Sequence, residues 1–190
     1  MPITRIKSLG ITDGAIVAAD IANGAITSAK LASGVGGKIL QVVQVTKTDI
    51  LSTTSTSFID ATGLSASITP SSASNKILMT VSVPFGASTR AFFKLVRGST
   101  DILLGDSAGS RIPANFHGYG DATVGDAFYA LQMFSFSVLD TPSTTSSTTY
   151  KIQWRANTGG TIYINRDGDD TNNTEHSRSA STIILMEIAA

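Results

Sequence analysis

Ile77-Leu78-Met79-Thr80-Val81-Ser82-Val83-Pro84-Phe85 places five large apolar side chains (Ile77, Met79, Val81, Val83, Phe85) at every second position. A period of two is the signature of a strand with one buried face, and it scatters around a helix. Shorter stretches of the same kind lie on both sides, separated by turn residues. Residues 39–46 read as a buried strand, and 57–59 and 64–69 as short strands stopped at Pro70. Residues 91–96 and 101–104 flank a hairpin turn at Arg97-Gly98-Ser99-Thr100. Phe134, Phe136 and Val138 alternate with serines. Tyr150, Ile152 and Trp154 are expected to face Ile162 and Ile164 across Asn157-Thr158-Gly159-Gly160, the strongest hairpin signal in the chain. Residues 182–188 are apolar on both faces, which predicts a strand in mid-sheet or against another subunit. Roughly eight to ten strands without a helix predict an all-β fold, with a jelly-roll-like β-sandwich over residues 37–190.

Residues 1–36 follow another rule. Ile6, Ile11, Ile16, Ile21, Ile26 and Leu31 stand five apart, with Gly14, Ala19, Gly24 and Ala29 two places before the last four. On an α-helix five residues advance about 500°, which leaves no apolar stripe. On a flat strand an odd spacing sends alternate aliphatics to opposite faces. The spacing demands a backbone that bends once per pentad, with small residues where chains pass closely. A single-chain β-helix of pentapeptide-repeat type meets that demand, but this segment gives such a coil too few turns to close a core. Three intertwined chains sharing one aliphatic column also meet it, and need no minimum length. The expectation is therefore an N-terminal anchoring stem, repeat-built and trimeric, with those six aliphatics as its core.

Composition narrows the function. Among 190 residues 15% are charged, with formal net charge zero, which argues against nucleic acid and against anionic membrane as partners. So little charge also suggests surface covered by other chains. There is no cysteine, so no disulfide holds the core. No stretch approaches the ~20 apolar residues of a membrane span, and Met1-Pro2-Ile3-Thr4-Arg5-Ile6-Lys7 opens no signal peptide. The expectation is synthesis in a host cytoplasm.

Several phrases together resemble a family of bacteriophage virion fibre proteins, notably from phages of cyanobacteria and marine bacteria. In the stem and its junction they are Asp13-Gly14-Ala15-Ile16 through Ala29-Lys30-Leu31-Ala32-Ser33-Gly34, and Gly37-Lys38-Ile39-Leu40-Gln41-Val42-Val43. Further on they are Ser74-Asn75-Lys76-Ile77-Leu78, Gly105-Asp106-Ser107-Ala108-Gly109-Ser110-Arg111, Leu139-Asp140-Thr141-Pro142 with Thr148-Thr149-Tyr150-Lys151, and Ser181-Thr182-Ile183-Ile184-Leu185-Met186-Glu187. The resemblance implies a homotrimer in the virion: a thin stem bound to other virion proteins, and a head similar in fold to trimeric jelly rolls of the tumour necrosis factor and complement type. Tail fibre and head fibre both fit, with the head contacting the host surface. A decorating or stabilising fibre without a dedicated receptor is the alternative. An envelope-glycan-degrading spike is a third reading, which the short chain and scattered acids disfavour.

Candidate sites are few. Two histidines, His117 and His176, with no spacing that asks for a catalytic triad, predict no enzyme, no cofactor and no resident metal. Asp167-Gly168-Asp169-Asp170-Thr171-Asn172-Asn173 is rich in oxygen but lacks the spaced ligands of a calcium loop, and reads first as a solvated turn. Residues 105–127 form the longest stretch without strand character and carry Arg111, Asn115, Phe116, His117 and Tyr119. Those side chains suit stacking on a host glycan and bonding its hydroxyls; the alternative is that Phe116 and Tyr119 pack the loop down while Arg111 pairs with Asp106. Glu187 sits inside the last apolar strand and needs either a partner, for which Arg90, Lys94 and Arg155 are candidates, or an edge position facing water.

Overall fold

A computed structural model describes residues 16–27, 30–31, 37–119 and 130–190. The chain divides into two units, Met1–Lys38 and Ile39–Ala190.

In the first unit the five-residue period appears as hydrogen bonding. Asp20 N–H donates to Val17 O, Ala25 N–H to Ala22 O and Lys30 N–H to Thr27 O, each at 2.9 Å. Donors and acceptors both step by five, so the backbone turns once per pentad here. One of these turns is a 3-10 turn at Ala18–Asp20, where Asp20 Oδ2 also accepts from Val17 N–H. Ile16, Ile21 and Ile26 are exposed in the single chain. Ile6 and Ile11 lie outside the described residues.

The second unit is all-β. Eleven strands are found among the described residues: β1 Ile39–Lys47, β2 Leu51–Thr53, β3 Ile59–Ile68, β4 Lys76–Ala87, β5 Arg90–Arg97, β6 Thr100–Ile102, β7 Phe116–Tyr119, β8 Gln132–Asp140, β9 Thr148–Ala156, β10 Ile162–Ile164 and β11 Ser181–Ile188. The first sheet runs β1-β11-β4-β10-β2, with β8 on the other edge of β4; the second runs β3-β9-β5-β6, with β7 also on β5. Every pairing between strands is antiparallel.

The two sheets pack face to face through the alternating residues. Ile77, Met79, Val81, Val83 and Phe85 of β4 are fully buried, with Ile183 and Leu185 beside them on β11. Phe93 of β5 meets Phe134 of β8 at 5.1 Å, Phe85 at 4.9 Å and Trp154 of β9 at 6.4 Å between ring centres, so aromatic contact joins the sheets. The doubly apolar last strand, β11, lies between β1 and β4, in mid-sheet.

Three expectations are corrected. The turn after β9 forms, but its strands do not pair: β9 belongs to the second sheet and β10 to the first, between β2 and β4. The two short strands at 57–59 and 64–69 merge into β3, bulged between Asp60 and Ser65. Residues 116–119, expected to lack strand character, form β7.

Candidate functional site

The outer face of the second sheet centres on Phe92. Its register partners are Arg155 on β9 and His117 on β7, so the three side chains form one row across the sheet. The His117 ring stacks on Phe92 with centres 5.7 Å apart and planes 23° from parallel. The Arg155 guanidinium carbon lies 5.6 Å from the centre of Phe92 and 6.0 Å from that of Phe58. One step along β5, Lys94 places Nζ 4.5 Å over Phe58; one step the other way, Arg90 lies 5.0 Å over Tyr119. Cations over aromatic faces are held flat and in place by the ring quadrupole. Beside Phe92 and His117, the loop residues Ser110, Arg111 and Ile112 complete an open cavity of about 370 Å³.

Among the described residues the cations on this face outnumber their acidic partners. Two acids near it, among the described residues, are already matched: Asp101 binds Lys94 at 2.6 Å, and Asp60 binds Lys151 and Gln153, both at 2.8 Å. The hydrogen bonds from Lys151 and Gln153 hold the Asp60 carboxyl below its usual range. Among the described residues Arg90, Arg111 and Arg155 form no ion pair. Arg111 donates to the Ala108 carbonyl rather than pairing with Asp106.

Of the five residues expected to contact a glycan, Arg111, His117 and Tyr119 reach this face and two do not. Asn115 is a fastener: its Oδ1 accepts from Leu95 N–H at 2.8 Å, and its Nδ2 donates to the carbonyls of Ile102 and Leu103 at 2.9 Å. Phe116 turns inward against Phe85 and Phe134, at 5.8 and 5.5 Å. Between His117 and Tyr119, Gly118 lets β7 lie on the Phe85 ring; a Cβ there would stand 2.2 Å from Phe85 Cζ. Residues 120–127 of that segment lie outside the described residues. The residues that sequence reading missed are Phe92, Lys94 and Arg90 on β5, with Arg155 and Phe58. Their signal was the alternation Arg90-Ala91-Phe92-Phe93-Lys94-Leu95, whose odd positions are small or apolar and whose even positions are charged or aromatic.

The outer face of the first sheet has a different chemistry. Val42, Met186, Leu78 and Leu139 are register partners in turn across β1, β11, β4 and β8. This row is apolar from edge to edge, with Val42 56% and Leu139 51% exposed. Leu40 and Ile39, also exposed, extend it at the start of β1.

Glu187 faces the core at the end of β11 and is 1% exposed, so the edge position facing water is corrected. So are its expected cationic partners. Oε1 accepts from Ser71 N–H and Oγ–H, both at 2.7 Å, and from Asn75 Nδ2 at 2.6 Å; Oε2 accepts from Gln41 Nε2 at 2.7 Å. Burial pushes its pKa up, but the donors from Asn75, Gln41 and Ser71 outweigh burial and hold it at about 2.

The aspartate loop lies between β10 and β11 with Asp169, Thr171, Asn172 and Asn173 exposed, as a solvated turn requires, but its first residue is anchored inside. Asp167 is buried; its Oδ1 accepts from the N–H groups of Asp169 and Asp170, and its Oδ2 lies 2.8 Å from His176 Nδ1. Asp170 is shared by Arg166 at 3.1 Å and Arg178 at 2.6 Å. These carboxylates are engaged by protein cations and backbone, and among the described residues no group of three or more His, Asp or Glu is placed to hold a metal ion. Gly105-Asp106-Ser107-Ala108-Gly109 does spell Gly-x-Ser-x-Gly, but it lies in the loop between β6 and β7, without the strand-to-helix elbow that exposes a nucleophile.

No protein-family model matches the sequence, and no curated protein does. Among solved structures, the chain has a likeness to T=1 particles derived from infectious bursal virus, with TM-score 0.35 and 15% identity over 79% of this chain and 36% of that one. It has another to the VP2 subviral particle of infectious bursal disease virus, with TM-score 0.33 and 15% identity over 79% of this chain and 38% of that one. The chain thus spans little more than a third of the length of either.

Proposed function

We propose that this chain is a structural protein of a virus particle, a homotrimeric fibre anchored by its N-terminal stem, with the β-sandwich as its displayed head. The observation that carries the assembly is the hydrogen bond that recurs every five residues at Asp20, Ala25 and Lys30, combined with the exposure of Ile16, Ile21 and Ile26 in a single chain. A self-sufficient β-helix buries its repeating aliphatic inside its own coil. Here those side chains need cover from other chains, which three parallel copies supply around a common axis. The apolar row Val42-Met186-Leu78-Leu139 supports the same occupant: it belongs to the sheet whose edge strand, β1, continues the stem along the chain. The sequence resemblance to phage fibre proteins supplies the particle, and the basic-aromatic outer face supplies a surface for host contact.

Analytical ultracentrifugation tests the assembly. The full chain should sediment at three times its 19.7 kDa mass, and Val42→Asp with Leu139→Asp should shift it toward smaller species. A wild-type chain that stays monomeric at micromolar concentration overturns the reading. Labelling in electron micrographs then tells a tail fibre from a capsid decoration.

A further inference from the structure

We infer that the outer face of the second sheet is a binding site for an anionic sugar, with Arg111 and Arg155 as the anion contacts and Phe92 and His117 as the stacking floor. The inference rests on the reading of the head as a host-contacting domain and gives that contact its chemistry. A neutral sugar asks for stacking rings and amide or carboxylate side chains that grip hydroxyls. This face has the rings, but the polar groups around them are cationic, and the amide expected there, Asn115, is consumed inside the fold. Arg111 lines the cavity and Arg155 stands beside it over Phe92; neither forms an ion pair among the described residues, while the described acids Asp101 and Asp60 are matched to Lys94 and Lys151. Guanidinium groups present planar, paired donors that fit a carboxylate or sulfate. His117, exposed and backed by Phe92, gives the apolar face of a pyranose ring a surface to stack on. The cavity, about 370 Å³, suits a short saccharide segment. A nucleic acid also stacks on rings and pairs with arginine, but it engages many phosphates along a basic track, and this chain has zero formal net charge.

Isothermal titration of the full chain, with short ligands that occupy one site at a time, tests the inference. The probes are an oligouronate, a sulfated oligosaccharide, a neutral oligoglucoside and a single-stranded oligonucleotide. At least one of the two acidic sugars should bind, weakening as salt is raised, and the stronger of them identifies the anion as carboxylate or sulfate. The neutral sugar should not bind measurably. Arg111→Ala should weaken the acidic sugar about tenfold or more without moving the melting temperature. Arg155→Lys, which keeps the charge but loses the planar donor pair, should also weaken it. Absence of acidic-sugar binding, equal binding of the neutral sugar, tighter binding of the oligonucleotide, or an unchanged affinity in Arg111→Ala each overturns the inference. The sedimentation result separates this from the fibre reading: a monomer that binds acidic sugar keeps the site and loses the fibre, and a trimer that binds none does the reverse.

Discussion

Ser181 donates a 2.6 Å hydrogen bond to Oδ1 of Asn165, sixteen residues before it, and both residues are completely buried. Strand β10 ends just before Asn165 and β11 begins at Ser181, and both pair with the same edge of β4. The contact therefore closes an excursion, residues 166–180, in an otherwise continuous line of strand. Asn165 Nδ2 reaches the neighbouring line as well, donating to the carbonyls of Lys47 and Asp49 where β1 gives way to β2. Its backbone is left-handed, with φ 66°, a conformation asparagine tolerates better than most residues.

Asn165→Ala should be among the most damaging single changes in the head. It strands the Lys47 carbonyl and the Ser181 hydroxyl in the interior, frees the Asp49 carbonyl, and puts an alanine in the left-handed region. Together these should cost roughly 3–5 kcal/mol, read as a fall in the denaturation midpoint. Asn165→Gly removes the same side-chain bonds but fits the backbone, so it should be milder by about 1 kcal/mol. A loss below about 1 kcal/mol in the alanine variant would show that the excursion does not depend on this clamp.

Glu187 should give the head an acid limit. Its folded pKa, about 2, lies below its ordinary value of 4.5, so folding favours the ionised form. The resulting stability is fully present above about pH 4.5 and is lost as the pH falls toward 2. The shift corresponds to at most about 3 kcal/mol. Glu187→Gln should be less stable at neutral pH and should lose less on acidification, because its amide replaces an acceptor with a donor facing Ser71, Asn75 and Gln41. Parallel stability–pH curves for the two proteins would refute this role.

The one tryptophan is a reporter and a packing test. Trp154 is buried between the sheets, and its indole N–H has no hydrogen-bond partner among the described residues. Its emission should be blue-shifted in the folded head and move to the red on unfolding. Since no hydrogen bond is lost, Trp154→Phe should cost only the smaller ring's packing, about 1–2 kcal/mol. A much larger cost would point to a partner for the N–H.

What the sequence disclosed here follows from range. The inner face of β4 was legible residue by residue, because a period of two within one strand is a local signal. The hairpin at Arg97-Gly98-Ser99-Thr100 was legible for the same reason, and β5 and β6 do pair. The turn after β9 was equally well marked, yet a turn fixes only a change of direction. Ile162 and Ile164 found better burial beside Ala87 and Phe85 in the other sheet, a choice made by distant residues. Glu187 was legible as a problem but not in its solution, since Ser71, Asn75 and Gln41 come from two other segments and carry no charge to announce them. In the site, residue type singled out Arg111 and His117, which reach the open face, but left Phe116 between stacking outward and packing inward, because an aromatic on β7 faces in or out by a single step of register.

The stem gives the last prediction. Its hydrogen bonds from Asp20 to Val17, Ala25 to Ala22 and Lys30 to Thr27 repeat every five residues, which brings Ile16, Ile21 and Ile26 to equivalent positions in their pentads. If three chains share that column, Ile16→Asp places three carboxylates in one apolar layer. Unpaired buried carboxylates cost several kcal/mol each, or take up protons instead of ionising. The stem should then lose its order near neutral pH and the protein should fail to enter particles. The head forms a separate unit with its own core, so its thermal transition and its Trp154 emission should match wild type. Ile16→Val, which keeps the layer apolar, should assemble normally. Normal incorporation of the aspartate variant would mean that the aliphatics are not a shared core, and the attachment of the fibre would have to be sought elsewhere in the chain.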